Sequence, residues 1–330
     1  MSPTKKQYAY TPAFHRRTAA KKWARVKELD AKFEGAKEAF SATFQDDKKD
    51  DRDRDAAAAL AIITETGLRP GNSSDFKKSG NRGISTLAAE NVTVDGDTVT
   101  LKFIGKSNKE NNAKFKNADL AAFLTKRKEG KKAGDMLFTT SGKDMAGEMD
   151  SAGLGDFKPK DFRTLIATRK GAEALSALEA PPPPLPENEK KAKRLIKQKV
   201  KEASTVVADL INNTPAMAQK SYISPAVIEG YINRVGGTMS MLGASADTVS
   251  KVVAKGPPTA EEIWKEAMKI DLPGADEEVE DMPEDEDDEE LDSDIMPEEL
   301  QSEEMDEDEK KEVAAALRAA VDKLRRGMRK

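Results

Sequence analysis

With no cysteine and a single histidine, His15, in 330 residues, the chain has a short inventory of side chains able to do chemistry. Disulfides, thiolate zinc sites and cysteine nucleophiles are excluded. One histidine cannot build a histidine metal cage, and it makes a Ser-His-Asp triad a poor fit. No glycine-rich phosphate loop and no dinucleotide fingerprint occurs in the sequence, so neither ATP nor another cofactor is expected. No metal is expected either, because the late cluster of carboxylates lacks the spacing of a defined cation site. What remains is arginine, lysine, tyrosine and amide groups. That set suits attack on a phosphodiester without metal. Guanidinium forks hold the non-bridging oxygens, a tyrosine serves as covalent nucleophile, and a lysine protonates the departing oxygen.

The charge distribution agrees with a polyanionic partner. The net charge is only −5, but residues 276–309 hold 22 Asp or Glu and no Lys or Arg. The rest of the chain therefore carries 38 acids against 55 bases, a balance of +17. Solubility alone does not require the two signs to be segregated, and a body this basic points to nucleic acid. The longest apolar run, Ala56 to Ile63, is too short to span a bilayer. The first residues, Met-Ser-Pro-Thr-Lys-Lys, lack the apolar stretch of a signal peptide. The expectation is an intracellular protein with no membrane partner.

The elements that must position such groups can be read from periodicity. Lys22, Trp23, Val26, Leu29 and Phe33 recur at helical spacing and predict a helix over about 17–44. Ala56 to Thr66 predicts a second, apolar helix, stopped by Gly67 and Pro70-Gly71. Val92, Val94, Val99, Leu101 and Phe103 alternate around Asp95-Gly96, the pattern of a β-hairpin with Lys106 just beyond its second strand. Residues 113–117 can add a third strand, and a basic helix is expected from Ala118 to about Lys128. Further helices are expected over 160–175 and about 187–210, with a polyproline break at 181–184 between them. Thr214-Pro215 and Ser224-Pro225 each read as an N-cap followed by proline at the first helical position. Tyr222 therefore falls at the end of a short helix, just before the next.

Four segments in this order carry a resemblance: Thr66-Gly67-Leu68-Arg69-Pro70-Gly71-Asn72, Lys102-Phe103-Ile104-Gly105-Lys106, Lys160-Asp161-Phe162-Arg163-Thr164, and 213–222, Asn-Thr-Pro-Ala-Met-Ala-Gln-Lys-Ser-Tyr. Together they resemble the type IB DNA topoisomerases of bacteria and poxviruses over roughly residues 4–235. Gly83-Ile84-Ser85-Thr86-Leu87 and Gln7-Tyr8-Ala9-Tyr10 extend the likeness. The implied fold is mainly α with a small antiparallel β-sheet, the catalytic-core fold of DNA breaking-rejoining enzymes.

By this resemblance Tyr222 is the nucleophile, and it would end as a 3′-phosphotyrosine while a 5′-hydroxyl leaves. A free phenol, with a pKa of ~10, needs nearby positive charge to attack. Arg69 and Arg163 match the two arginines that clamp the phosphate. Lys106 matches the general acid. Asn213 stands where poxviral and eukaryotic enzymes use a histidine to hydrogen-bond a non-bridging oxygen, and bacterial members are similar to this chain in having asparagine. Implied DNA contacts are Gln7, Tyr8, Tyr10, Lys160 and Lys220. Each residue also has a plainer reading. Tyr222 can be a buried tyrosine at a helix junction, Arg69 a surface side chain in a turn, Arg163 a solvated residue at a helix start, and Asn213 a cap.

Tyrosine recombinases share the Arg-Lys-Arg-Tyr plan, but they usually carry histidine where this chain has Lys160, and a Gly-His-Ser type segment where it has Asn213-Thr214-Pro215. The expected activity is therefore ATP- and metal-independent relaxation of double-stranded DNA by a monomer. A site-specific recombinase and a catalytically decayed DNA-binding protein stand as alternatives. The expected organisation is a remnant of an N-terminal β domain over 1–16, a catalytic domain over 17–235, a helical extension over 236–272, an acidic disordered segment over 273–309, and a basic amphipathic helix over 310–330. The expected location is the cytoplasm, bacterial nucleoid-associated or encoded by a phage or virus.

Overall fold

The structure is a computed structural model that describes residues 12–177 and 188–242. Gln7, Tyr8 and Tyr10, the polyproline break, the acidic segment and the basic C-terminal helix lie outside the described residues.

Helix α1 runs over Pro12–Gln45. Trp23, Val26, Leu29, Phe33, Ala36, Phe40 and Phe44 recur every three or four residues along it, and all are buried. They form one apolar stripe that must find a partner. The partner is α2, Asp51–Thr66, which is buried from Asp55 to Thr64. This helix starts five residues earlier than its apolar run predicts. The Asp50 side chain accepts from Arg52 N at its head, and Asp51 and Asp53 occupy the first turn, where the helix dipole favours them. Gly67, at φ 66°, ends it in the left-handed conformation. Asp55 is fully buried on α2 and is held by Arg127 Nε at 2.6 Å and Thr139 N at 2.7 Å.

A short helix α3, Ser73–Ser79, precedes the sheet. Strands β1 (Val92–Asp95), β2 (Thr98–Gly105) and β3 (Lys109–Lys116) form an antiparallel meander in the order β1-β2-β3. Val92 pairs Leu101, Val99 pairs Phe115 and Gly105 pairs Lys109. Strand β3 begins four residues before the reading expected, because Glu110-Asn111-Asn112 gives no apolar alternation to announce it. Val92, Val99, Leu101 and Phe103 face the core.

Helices α4 (Ala118–Lys128) and α5 (Gly142–Ser151) pack on this first core, and α6 (Pro159–Ala177) crosses it. Phe162 lies 6.0 Å from both Phe33 and Phe40, ring to ring, and fixes the start of α6 against α1. The second half of α6 enters another apolar cluster with α7 (Glu189–Ile211), the short helix α8 (Pro215–Met217) and α9 (Pro225–Arg234). Two cores thus adjoin along α6. Among the described residues the fold is mainly helical with one small antiparallel sheet, as the resemblance implies. Among the described residues, no helix is long and apolar enough to cross a membrane.

Candidate active site

Arg163 stands one residue after Phe162, where α6 passes from the first core to the second. It is 3% exposed, which overturns the plainer expectation of a solvated helix-start residue. Burying a guanidinium is costly unless it is paired, and here its two arms reach backbone carbonyls. Nη1 donates to Gly67 O at 2.8 Å and Nη2 to Ile211 O at 2.5 Å. The arginine therefore joins the end of α2 to the end of α7. Gly67 is two residues before Arg69, and Ile211 is two residues before Asn213, so this one side chain sets the spacing of both flanking segments.

Tyr222 packs against it. The Arg163 guanidinium carbon is 5.1 Å from the centroid of the Tyr222 ring, within the range of a cation–π contact. The tyrosine is 7% exposed, so it is a buried residue at a helix junction and at the same time lies beside the arginine that the resemblance pairs with it. It ends a π-helical turn, Ala218–Tyr222, that follows α8, and such turns are rare and often occur at functional sites. The turn is fixed from two sides. Thr168 Oγ1 on α6 donates to Tyr222 O at 2.8 Å. From α1, Lys22 Nζ donates to Ser221 O at 2.6 Å and lies 5.5 Å from the Tyr222 ring centroid. In the sequence Lys22 marks only helical spacing. Its place beside Tyr222 depends on a contact across 199 residues that no local pattern announces.

The Arg69 segment is a tight turn, with Arg69 half-buried. Arg69 O accepts from Ile84 N at 3.1 Å and Pro70 O from Ser85 N at 2.8 Å. Gly71, at φ 71°, lies against Gly83 so closely that a Cβ on Gly71 would be 2.6 Å from Gly83 Cα. This close approach needs glycine. The same segment is fastened to the sheet, since Arg82 N donates to Ile104 O at 2.8 Å. Two residues on, Lys106 opens the β2–β3 turn and is exposed. Ser107 at φ 59° and Asn108 at φ 56° carry the reversal.

Asn213 follows α7. Its backbone N donates to Ala208 O at 2.9 Å, and its side-chain oxygen accepts from Thr214 N at 2.8 Å. With the oxygen spent on the backbone, the NH2 end is the group of this amide suited to meet an anionic oxygen. The cap and the donor coexist in one side chain. Lys160 is half-buried in the first turn of α6, and Lys220 is exposed on the π turn.

The structure thus gathers the segments of Arg69, Lys106, Arg163, Asn213 and Tyr222 around the junction of the two cores. Among the described residues, no group of three or more His, Cys, Asp or Glu is placed to hold a metal ion.

A family model described as eukaryotic DNA topoisomerase I, catalytic core, matches residues 11–241. Among solved structures, the chain is similar to XerH site-specific recombinase bound to difH substrate in a pre-cleavage complex. There the identity is 16% and the TM-score 0.35, over 56% of this chain and 48% of that one. It is also similar to XerH on a palindromic difH substrate in a post-cleavage complex, at 19% identity and TM-score 0.30, over 40% of this chain and 39% of that one. The chain spans about half or less of the recombinase chains it matches. No curated protein matches it.

Proposed function

The chain belongs to the eukaryotic DNA topoisomerase I catalytic-core family, and from that premise we propose that it breaks and rejoins duplex DNA as a type IB topoisomerase. In this reading the Tyr222 hydroxyl attacks the scissile phosphorus. A bond forms between the tyrosine oxygen and phosphorus while the bond to O5′ breaks, and the phenolic proton passes to solvent. Lys106 gives a proton to the departing O5′, which leaves as a hydroxyl. Arg69 holds the non-bridging oxygens as charge builds on them, Arg163 adds the N–H groups not used by Gly67 O and Ile211 O, and the Asn213 NH2 donates to one oxygen. The free end swivels and the 5′-hydroxyl attacks the phosphotyrosine, giving its proton back to Lys106. The bond from phosphorus to the tyrosine oxygen breaks, and the departing phenolate takes a proton from solvent. Because the phosphodiester energy is kept in the phosphotyrosine, the reaction needs no ATP, and supercoiling supplies the drive.

One observation carries this reading. Arg163 is buried at 5.1 Å from the Tyr222 ring while its two arms hold the backbone beside Arg69 and beside Asn213. The two carbonyl bonds hold the ends of α2 and α7 together and at the same time fix a positive charge beside Tyr222, which a tyrosine nucleophile needs.

The test is relaxation of a supercoiled plasmid in EDTA without ATP, with wild type and Tyr222→Phe. Relaxation and a covalent DNA adduct with wild type alone support the proposal. Relaxation by both places the nucleophile elsewhere. Binding without any adduct points to a DNA-binding protein that does not cleave, and joining of two separate duplexes points to a recombinase.

A further inference from the structure

We propose that Asn212 is a positioning residue for Lys106, holding the hairpin that carries the general acid against the end of α7. The inference rests on the reading of Lys106 as proton donor to O5′, and goes beyond it by naming what aims that donor.

Lys106 sits on a projecting turn. Two successive left-handed residues, Ser107 and Asn108, form the tip, and the side chains of β3 from Lys109 to Lys116 are exposed or half-buried throughout. A hairpin end of this kind has little packing to fix it, yet a general acid must stay within hydrogen-bond reach of the oxygen it protonates. On the β2 side, the Arg82 N to Ile104 O bond supplies one anchor. On the β3 side the anchor is Asn212. Its Nδ2 donates to Glu110 O at 2.7 Å and lies 3.3 Å from Asn111 Oδ1. Asn111 carries the restraint across the ladder. Its Nδ2 lies 2.4 Å from where a Cβ of Gly105 would stand, and it donates to Lys109 O at 3.3 Å. The side chain therefore lies over the backbone immediately before Lys106, in the space left by the absent Cβ of Gly105. Asn212, Asn111, Gly105 and Lys106 form one continuous mechanical link.

The backbone of Asn212 makes the role separable from helix capping. At φ 51° and ψ 57° it ends α7 in the left-handed conformation. Glycine is the usual residue for that conformation, so capping alone does not require an amide. The carbonyl just before it, Ile211 O, is the one held by Arg163. Asn212 thus fastens the Lys106 hairpin to the same point of backbone that Arg163 fixes beneath Tyr222.

Asn212→Gly keeps the left-handed cap and deletes only the amide, and Asn212→Asp keeps the shape but loses the donor. The assay is single-turnover formation of the covalent adduct on a short duplex, comparing a normal 5′-oxygen leaving group with a 5′-bridging sulfur. A thiol, with a pKa near ~8.5, departs as thiolate and needs no proton. Lys106→Ala is the reference variant. General acids contribute about 10²- to 10⁴-fold. Loss of aim is therefore expected to slow both Asn212 variants about 10- to 100-fold on the oxygen substrate, with wild-type rates on the sulfur substrate and Asn212→Gly still fully folded at the assay temperature. Wild-type rates on oxygen overturn the inference, and so does equal slowing on both substrates, which marks a general structural role. If sulfur fails to rescue Lys106→Ala, the general-acid reading itself fails, and the positioning role fails with it. If wild type forms no adduct on either substrate, the proposed function falls first.

Discussion

Replacing Arg163 by lysine separates the two kinds of work assigned to this side chain. Lysine keeps the positive charge but not the planar fork, and it can reach only one of the two carbonyls that the arginine holds. The bonds to Gly67 O and Ile211 O, at 2.8 and 2.5 Å, are charge-assisted, and both acceptor residues are buried. A hydrogen bond of this class contributes about 1.5–3 kcal/mol, and leaving a buried acceptor unmet costs a similar amount. Losing one of the pair should lower stability by about 1.5–3 kcal/mol, which for a domain of this size is roughly 3–12 °C in melting temperature. Thermal unfolding followed by circular dichroism at pH 7 reads that loss directly. Adduct formation, measured below the melting range of both proteins, should fall further than the folded fraction does, because the segments of Arg69 and Asn213 lose their common anchor. A melting temperature within about 1 °C of wild type would refute the argument that the two carbonyl bonds hold the ends of α2 and α7 together. Lost activity would then have to be ascribed to the proposed phosphate contact alone.

Two further outcomes follow from the geometry. Gly71→Ala must place a methyl 2.6 Å from Gly83 Cα at φ +71°. Strain of this kind costs about 1–3 kcal/mol, so thermal unfolding should show a clear loss, with weaker adduct formation because the Arg69 turn cannot close on residues 83–85. Glu229, buried on α9, has its carboxyl pushed above the usual range by burial. A raised native value means the folded state binds this proton more tightly than the unfolded chain does, so its contribution is most favourable at low pH and is lost as pH rises past the unfolded value of about 4.3. Glu229→Gln should therefore melt above wild type at pH 7.5 and lose that advantage near pH 4. Equal melting temperatures at both values would show that the carboxylate is solvated in the fold.

How much of this could be read in advance depends on how local each cause is. The N-caps at Thr214 and Ser224, with prolines directly after them, put Tyr222 at a helix junction, because a cap is decided within four residues. Helix α4 shows its full span for the same reason, with Asn117 capping Leu120 N. Helix α3 has no buried residue and so no apolar stripe, and its signals are its caps alone, Asn72 on Asp75 N and the left-handed Gly80. Helix α5, outside the segments expected as helical, also has a local signal, the Ser141–Asp144 capping box. The burial of Arg163 could not be seen locally. Lys-Asp-Phe-Arg reads as a charged helix start, and the carbonyls that receive its arms are 96 and 48 residues away. Asn212 is a similar case. An asparagine just past a helix signals a left-handed cap, but its bond to the hairpin spans 102 residues.

The same long-range bonds explain why the candidate site lies where two cores meet. The segments of Arg69 and Lys106 belong to the first core through Leu68, Ile84, Leu101 and Phe103, whereas Asn213 and Tyr222 are carried by the second through Ile211, Ala218 and Ile223. Any sliding of one core on the other would pull these groups apart, and a displacement of about 1 Å can already cost a hundredfold in rate. The joints can be followed in a circuit. Arg163 ties Gly67 to Ile211, and Asn212 ties the end of α7 to the hairpin. Arg82 ties the hairpin to the segment that also holds Arg69, two residues from Gly67. Lys22 reaches from α1 in the first core to the turn bearing Tyr222. A closed circuit of this kind restrains each group more than any single contact does, since moving one joint requires breaking another. The chemistry is therefore expected to be as sensitive to residues of the circuit that never touch DNA as to those that do.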